Sequence, residues 1–264
     1  MNKVWIIVRK EWAEVFKNRF VLFTVAFLPI IFTALPLIML YATRSSADVS
    51  GLSSADMPSG FTQLCGDQMN AAECSQYFII SQFMLLFMIM PLAIPVTIAS
   101  YSIVGEKSTR TLEPVLATPI TTVELLAGKG LAAILPAIGA TWLGFIIFAV
   151  GARMLSASPV VLSRLADVLW LTAIFVVGPL LSIAAVSVAV MVSSRANDPR
   201  VAEQLSMLVI LPLLGVFFGQ ITGLFFINDR LILWMAAVLL VIDAGLVALA
   251  THLFQRETIL TRWK

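Results

Sequence analysis

Charge is scarce in this chain: only 12% of its 264 residues are Asp, Glu, Lys or Arg, about half the share of a soluble domain. Histidine occurs once and cysteine twice. Each shortage excludes a chemistry. A single histidine cannot supply the H-E-x-x-H pair of a zinc hydrolase. A serine site with a histidine base would have to use His252, which has no companion motif. An aspartyl site in the apolar part of the chain needs two acids, and Asp243 stands alone there. A phosphate-binding loop needs G-x-x-x-x-G-K-[ST], so that backbone N–H groups and a lysine can hold phosphates. The one Gly-Lys pair, Gly128-Lys129, has Val123 where the first glycine should be and Gly130 where Ser or Thr should be. No catalytic, cofactor or metal site is expected, and any ATP would be hydrolysed elsewhere.

What the chain has is apolar length. Sixty per cent of it is hydrophobic, in blocks of the roughly 20 residues needed to cross a bilayer core of about 30 Å. Six spans are read at 20–41, 78–101, 131–152, 167–192, 204–226 and 231–252. All are predicted to be helices, because lipid cannot satisfy backbone groups and no strand-like alternation is visible. The fold class is therefore an all-α integral membrane protein, one transmembrane domain over 1–264. The first apolar run is too long for a signal peptide and is expected to be retained.

Basic residues set the orientation. One set of flanks holds Lys3, Arg9, Lys10, Lys17, Arg19, Lys107, Arg110, Lys129, Arg195, Arg200, Arg256, Arg262 and Lys264. The other holds only Arg44, Arg153, Arg164 and Arg230. Both termini are expected in the cytoplasm. The net charge of +2 is spread beside spans and forms no patch for nucleic acid.

Residues 42–77 form an external loop, too short for an independent domain. Both cysteines, Cys65 and Cys74, fall in it, on the oxidising side. A bridge closing "CGDQMNAAEC" would contribute on the order of 2.5–3 kcal/mol. With no neighbouring histidine and no C-x-x-C spacing, a structural disulfide is expected rather than a metal or redox pair.

Two cytoplasmic elements carry pattern. Residues 3–17 read as an interfacial helix, with Val4, Trp5, Val8, Trp12, Val15 and Phe16 in one arc of about 120° and Lys3, Lys10, Glu14 and Lys17 opposite. The connector "GEKSTRTLEPVLATPITTVELLAGK", residues 105–129, mixes charge, proline and helical spacing. A helix is predicted near 108–117 and a turn at Thr118-Pro119. A second helix is predicted from Thr122 into the third span, with Thr121 and Glu124 forming a capping box.

This connector resembles the motif G-E-K/R-x-x-x-T-L-E-x-L-L-x-T-P of ABC transporter permeases of the type-2 exporter family. The rest of the chain resembles the same family as architecture, from the opening "RKEW" and "KNR" to six spans with both ends inside. The resemblance implies that 105–129 is the coupling segment that docks on separate ATPase subunits, which bind ATP and Mg. By position, Gly105, Glu106, Lys107, Arg110, Thr111, Leu112, Glu113 and Pro119 would be the coupling residues. It also implies a pair of such subunits, a second copy or a related permease; the composition suggests the lipid of an inner membrane. A non-transporting assembly or sensory subunit is the alternative, with an intramembrane enzyme less favoured.

Within the membrane, Asp243 is the one clear acid, and exposing it to lipid would cost about 2.5–3.5 kcal/mol. It must face the bundle or water, or be protonated, whether it is a pathway residue or a structural partner. Gln220 and Thr222 in "GQITGLFFINDR" are the other pathway candidates, in a link that the family resemblance would make re-entrant. Gly215, Gly219 and Gly223 recur at four-residue spacing and predict close helix packing.

Overall fold

The structure is a computed structural model and describes residues 3–45, 71–109, 120–155, 162–163 and 167–253. Among these it is helical, with no strand. A short helix, α1 (Lys3–Val15), precedes six candidate spans. Span one is α2 (Arg19–Ser45). Span two is broken into α3 (Ala71–Phe87) and α4 (Met90–Ser108). Span three is α5 (Thr122–Leu155), one unbroken helix of 34 residues. Span four combines α6 (Val168–Thr172), a π-helical turn (Ala173–Val177) and α7 (Gly178–Arg195). Span five combines α8 (Pro199–Ser206), a 3-10 turn (Met207–Ile210) and α9 (Leu211–Ile221). Span six is α10 (Asp229–Leu253).

The external loop is shorter than 42–77, because α2 runs to Ser45 and α3 begins at Ala71. Cys74 thus lies in a helix, 5% exposed, beside Tyr77, Phe78 and Phe226. Cys65 lies outside the described residues.

The prolines explain the breaks. Proline has no N–H to donate and clashes with the carbonyl four residues back. Ahead of Pro91, Met88 and Ile89 donate to Leu85 and Leu86, bonds of the tighter i→i−3 kind. The π turn precedes Pro179 and the 3-10 turn precedes Pro212, so in each case one irregular turn absorbs the missing bond. Pro29, Pro36, Pro95 and Pro136 sit inside continuous helices instead.

Two tryptophans satisfy carbonyls that prolines leave without a donor. Pro136 would have bonded to Ala132, and the Trp12 indole N–H donates to that oxygen at 2.9 Å. In the π turn, Gly178 N–H reaches Ala173, so Ile174 would pair with residue 179, a proline. The Trp142 indole N–H donates to Ile174 at 3.3 Å. Each bond ties one element to another, so the same prolines that weaken a helix locally fix its neighbour's position.

Span two is the hub. Its α4 packs against spans one, three, four and five, and residues 90–100 are buried on every side. Eighty-three per cent of its apolar window is covered, against 11% for span six. A helix apolar all round belongs inside a bundle. Span six packs chiefly on α7, whereas α9 of span five packs on α3.

Candidate functional site

The helix α1 runs alongside the first turns of α5, in the same direction. Lys3 pairs with Glu124 at 3.7 Å, Ile7 meets Gly128, and Trp12 reaches Ala132. Its buried face is Ile7, Val8, Glu11 and Val15. Trp5 and Phe16, from the arc expected at the headgroups, are exposed, and the face turned to the bundle is the one that carries Glu11 and its ionic partner.

Glu11 is 2% exposed, and so is the side chain of its partner Lys129. The Lys129 ammonium lies 2.8 Å from Glu11, 2.7 Å from Glu106 and 2.9 Å from the Ser102 hydroxyl, to which it donates. An ammonium has three protons, and these three neighbours match them in number. The contact with Glu106 is an ion pair rather than an aligned hydrogen bond. Ser102 donates in turn to the other oxygen of Glu11. Lys10, half-buried, pairs with Glu106 and reaches Glu14 at 3.1 Å and Glu11 at 3.4 Å. Two lysines thus face two buried glutamates, with the exposed Glu14 at the rim, and the buried part of the cluster is charge-balanced. It joins α1, the end of span two and the start of span three at one end of the bundle.

Burial alone would raise the Glu11 carboxyl, but Lys129, with Ser102 and Lys10, outweighs it and holds the group below the ordinary carboxylate range. Burial would likewise lower the Lys10 ammonium, and Glu106, Glu11 and Glu14 raise it above its ordinary value instead. The depressed Glu11 contributes stability that is present above its ordinary pKa of about 4.5 and lost as pH falls. The raised Lys10 contributes stability that is present below its ordinary 10.5 and lost only as pH rises well past it. We therefore expect a plateau in the thermal midpoint of the detergent-solubilised protein between these values. Glu11→Gln should melt lower than wild type at pH 7, and the gap should be smaller at pH 4 and keep narrowing below it, as pH falls through the depressed carboxyl's own range. An equal gap at both pH values would refute this.

The connector residues divide. Glu106 is 5% exposed and turns inward to Lys10 and Lys129. The Lys107 ammonium donates to the carbonyls of Ser194, at 3.4 Å, and Ala196, at 3.0 Å. It therefore caps the C-terminal end of α7, where backbone carbonyls lack helical donors. Gly105 has open space where a side chain would sit. The expected capping box is present: Thr121 N–H donates to Glu124 at 2.8 Å, and Glu124 N–H to the Thr121 hydroxyl at 3.2 Å. Arg110, Thr111, Leu112, Glu113 and Pro119, with the helix expected near 108–117, lie outside the described residues. One further tie joins spans two and five, where the Thr97 hydroxyl donates to Glu203 at 2.6 Å.

The description "ABC-2 family transporter protein" matches residues 5–229. The chain belongs to the ABC-2 transporter family. It is a transmembrane subunit of an ABC transporter, a multi-pass membrane protein and not itself a catalytic enzyme. No curated protein matches the chain.

The ABC-2 permease does not gather its other candidate residues into one place. Asp243 is 5% exposed in span six, facing the bundle. Gln220 is buried near the end of α9, with its side-chain oxygen unpartnered among the described residues. Thr222 is exposed and donates to the carbonyls of Phe218 and Gly219, which makes it a helix terminator.

The glycine stripe also breaks up in the permease. Gly223 lies beyond α9 with φ 73°. Its N–H reaches Gln220 and that of Leu224 reaches Gly219, the paired bonds of a Schellman turn. Only glycine takes that backbone without strain. A side chain at Gly219 would strike Phe225, whereas Gly215 faces open space. The link 222–228 contains no helix, and the outer part of span five is the separate helix α9.

Sequence reasoning missed Glu11, Ser102 and Lys129. Glu11 left a signal: Val4, Val8, Glu11 and Val15 follow one helical stripe, and a lone acid in such a stripe implies a buried cation.

Proposed function

We propose that this permease forms half of the pathway of an ATP-driven exporter, pairs with a second copy or a related permease, and is driven by separate ATPase subunits through residues 105–129. The observation that carries this reading is mechanical. The connector runs directly into α5, one helix of 34 residues and so about 50 Å long, and α1 and Glu106 clamp its first turns. A push at the start of α5 would be delivered along span three, and one at Lys107 to span four. ATP and Mg belong to the ATPase, and both termini lie in the cytoplasm of a cell with this protein in its inner membrane. Outward faces with large exposed apolar side chains, such as Met154, Leu224 and Val241, suit lipid and the second subunit. On the opposite side, a Cys65–Cys74 bridge ties the external loop to α3. Asp243 and Gln220 line or gate the pathway, and Gly215 serves subunit packing.

The test is co-purification with the cognate ATPase in detergent. Wild type should retain the ATPase, and Glu113→Ala should lose it or uncouple its hydrolysis while eluting as a folded, monodisperse protein. No ATPase bound to wild type, or normal binding and coupling in Glu113→Ala, would leave 105–129 as a mere connector, as in an assembly or sensory subunit.

A further inference from the structure

An apolar crevice of about 440 Å³ opens between spans two, four, five and six, within the size range of small-molecule sites. It exists because spans five and six diverge after their link: α9 leans on α3, and α10 on α7. Leu92, Ala184, Val216 and Leu246 are among its walls, and Trp170 and Trp234 both line it. Along α10 the lining runs from Leu231 to Leu246, about 22 Å of helix. Nothing on these walls carries charge.

Asp243 is not itself a lining residue and sits beside that face of α10. Leu239, Ile242 and Leu246, one turn before, one residue before and one turn after it, all belong to the crevice. At 100° per residue, Asp243 is about 40° from Leu239 around the helix. It is 95% covered, and neither carboxylate oxygen has a hydrogen-bond partner among the described residues. A buried carboxylate with no partner is costly. A cation that can itself enter an apolar space would offset that cost.

We propose that the crevice binds a lipophilic cation, an aromatic or aliphatic body carrying one positive charge, with Asp243 as its counterion. This rests on the transport reading above and names its substrate class. The apolar walls desolvate the body of the ligand, and Asp243 compensates the charge that desolvation would otherwise penalise. Trp170 and Trp234 add ring faces that attract cations. The same walls reject strongly hydrated inorganic ions and multiply charged polymers, whose desolvation nothing there offsets.

The experiment measures equilibrium binding of tetraphenylphosphonium and of neutral triphenylphosphine oxide to the purified full chain in zwitterionic nanodiscs, without ATPase. Wild type should bind the cation saturably. Asp243→Asn should weaken cation binding about 30-fold or more, the effect of losing one partner of a buried charge pair, and leave the neutral compound within about threefold of wild type. Ala184→Phe, which fills the crevice, should weaken both. Thermal melting of each variant checks that it is folded. No saturable cation binding by wild type, or cation affinity in a folded Asp243→Asn within twofold of wild type, overturns the proposal. Either failure leaves ATPase association untouched. Loss of ATPase association with cation binding intact would instead remove the transport reading and keep the site.

Discussion

Replacing Lys129 by Met should cost the permease about 3–5 kcal/mol, the penalty for removing one partner of a buried ion pair and leaving the other uncompensated. Lys129 is the common partner of Glu11 and Glu106, both nearly inaccessible. Without it, two carboxylates face each other with only Lys10 at the rim. At roughly 2–4 °C per kcal/mol for a chain of this size, the thermal midpoint in detergent should fall by about 10 °C. The decisive comparison is a triple variant, Lys129→Met with Glu11→Gln and Glu106→Gln. It removes the charges together and should recover much of the loss, because the desolvation penalty of each ion disappears with it. A single variant melting within 2 °C of wild type would show that water reaches the cluster and screens it.

The second large effect is steric. A side chain at Gly128 would place its first carbon 2.7 Å from the Ile7 Cβ, well inside contact distance. That atom is close to the backbone of α1 and cannot swing aside. Gly128→Leu should therefore push α1 away from span three, at about 1–3 kcal/mol or more for overpacking, and pull Glu11 away from Lys129. Ile7→Ala removes the Cγ2 and Cδ1 contacts at the same point, at 2.7 and 3.1 Å, and leaves only the Cβ contact. We expect the double variant Ile7→Ala/Gly128→Leu to be less destabilised than the sum of the singles by about 0.5–3 kcal/mol, the coupling expected of residues in contact. Additive melting losses would mean that α1 is not held where the structure places it. If the transport reading holds, Gly128→Leu should also uncouple ATP hydrolysis, because the clamp on the lever is what it disturbs.

Both effects originate in residues that the sequence offered only in part. Glu11 could be flagged as an acid in an apolar stripe, but nothing in the local pattern named a lysine 118 positions away as its partner. Gly128-Lys129-Gly130 was legible as a feature of the helix entering span three and not as a contact. Glu106 and Lys107 stood out through the family motif. Motif matching cannot tell a residue that meets a partner from one that braces the fold, and here both are directed at their own chain. The glycines at 215, 219 and 223 share a spacing but not an environment: one faces open space, one abuts Phe225, and one terminates a helix.

The sequence by itself determined the helices. Lipid leaves no backbone group to be satisfied by solvent, so each span must close its own hydrogen bonds and advertise itself as a run of apolar residues. Capping at Thr121-Glu124 and the irregular turns before Pro91, Pro179 and Pro212 are equally local, since their donors and acceptors lie within a few residues. Tertiary structure alone decided which helix occupies the centre, which carbonyls Trp12 and Trp142 relieve, which charges meet beneath α1, and that spans five and six part to leave a crevice beside Asp243. Those outcomes depend on how six similar apolar surfaces pack against one another. Apolar faces are nearly interchangeable to a pattern read along one chain, and only their shapes and the few charges among them select a single arrangement.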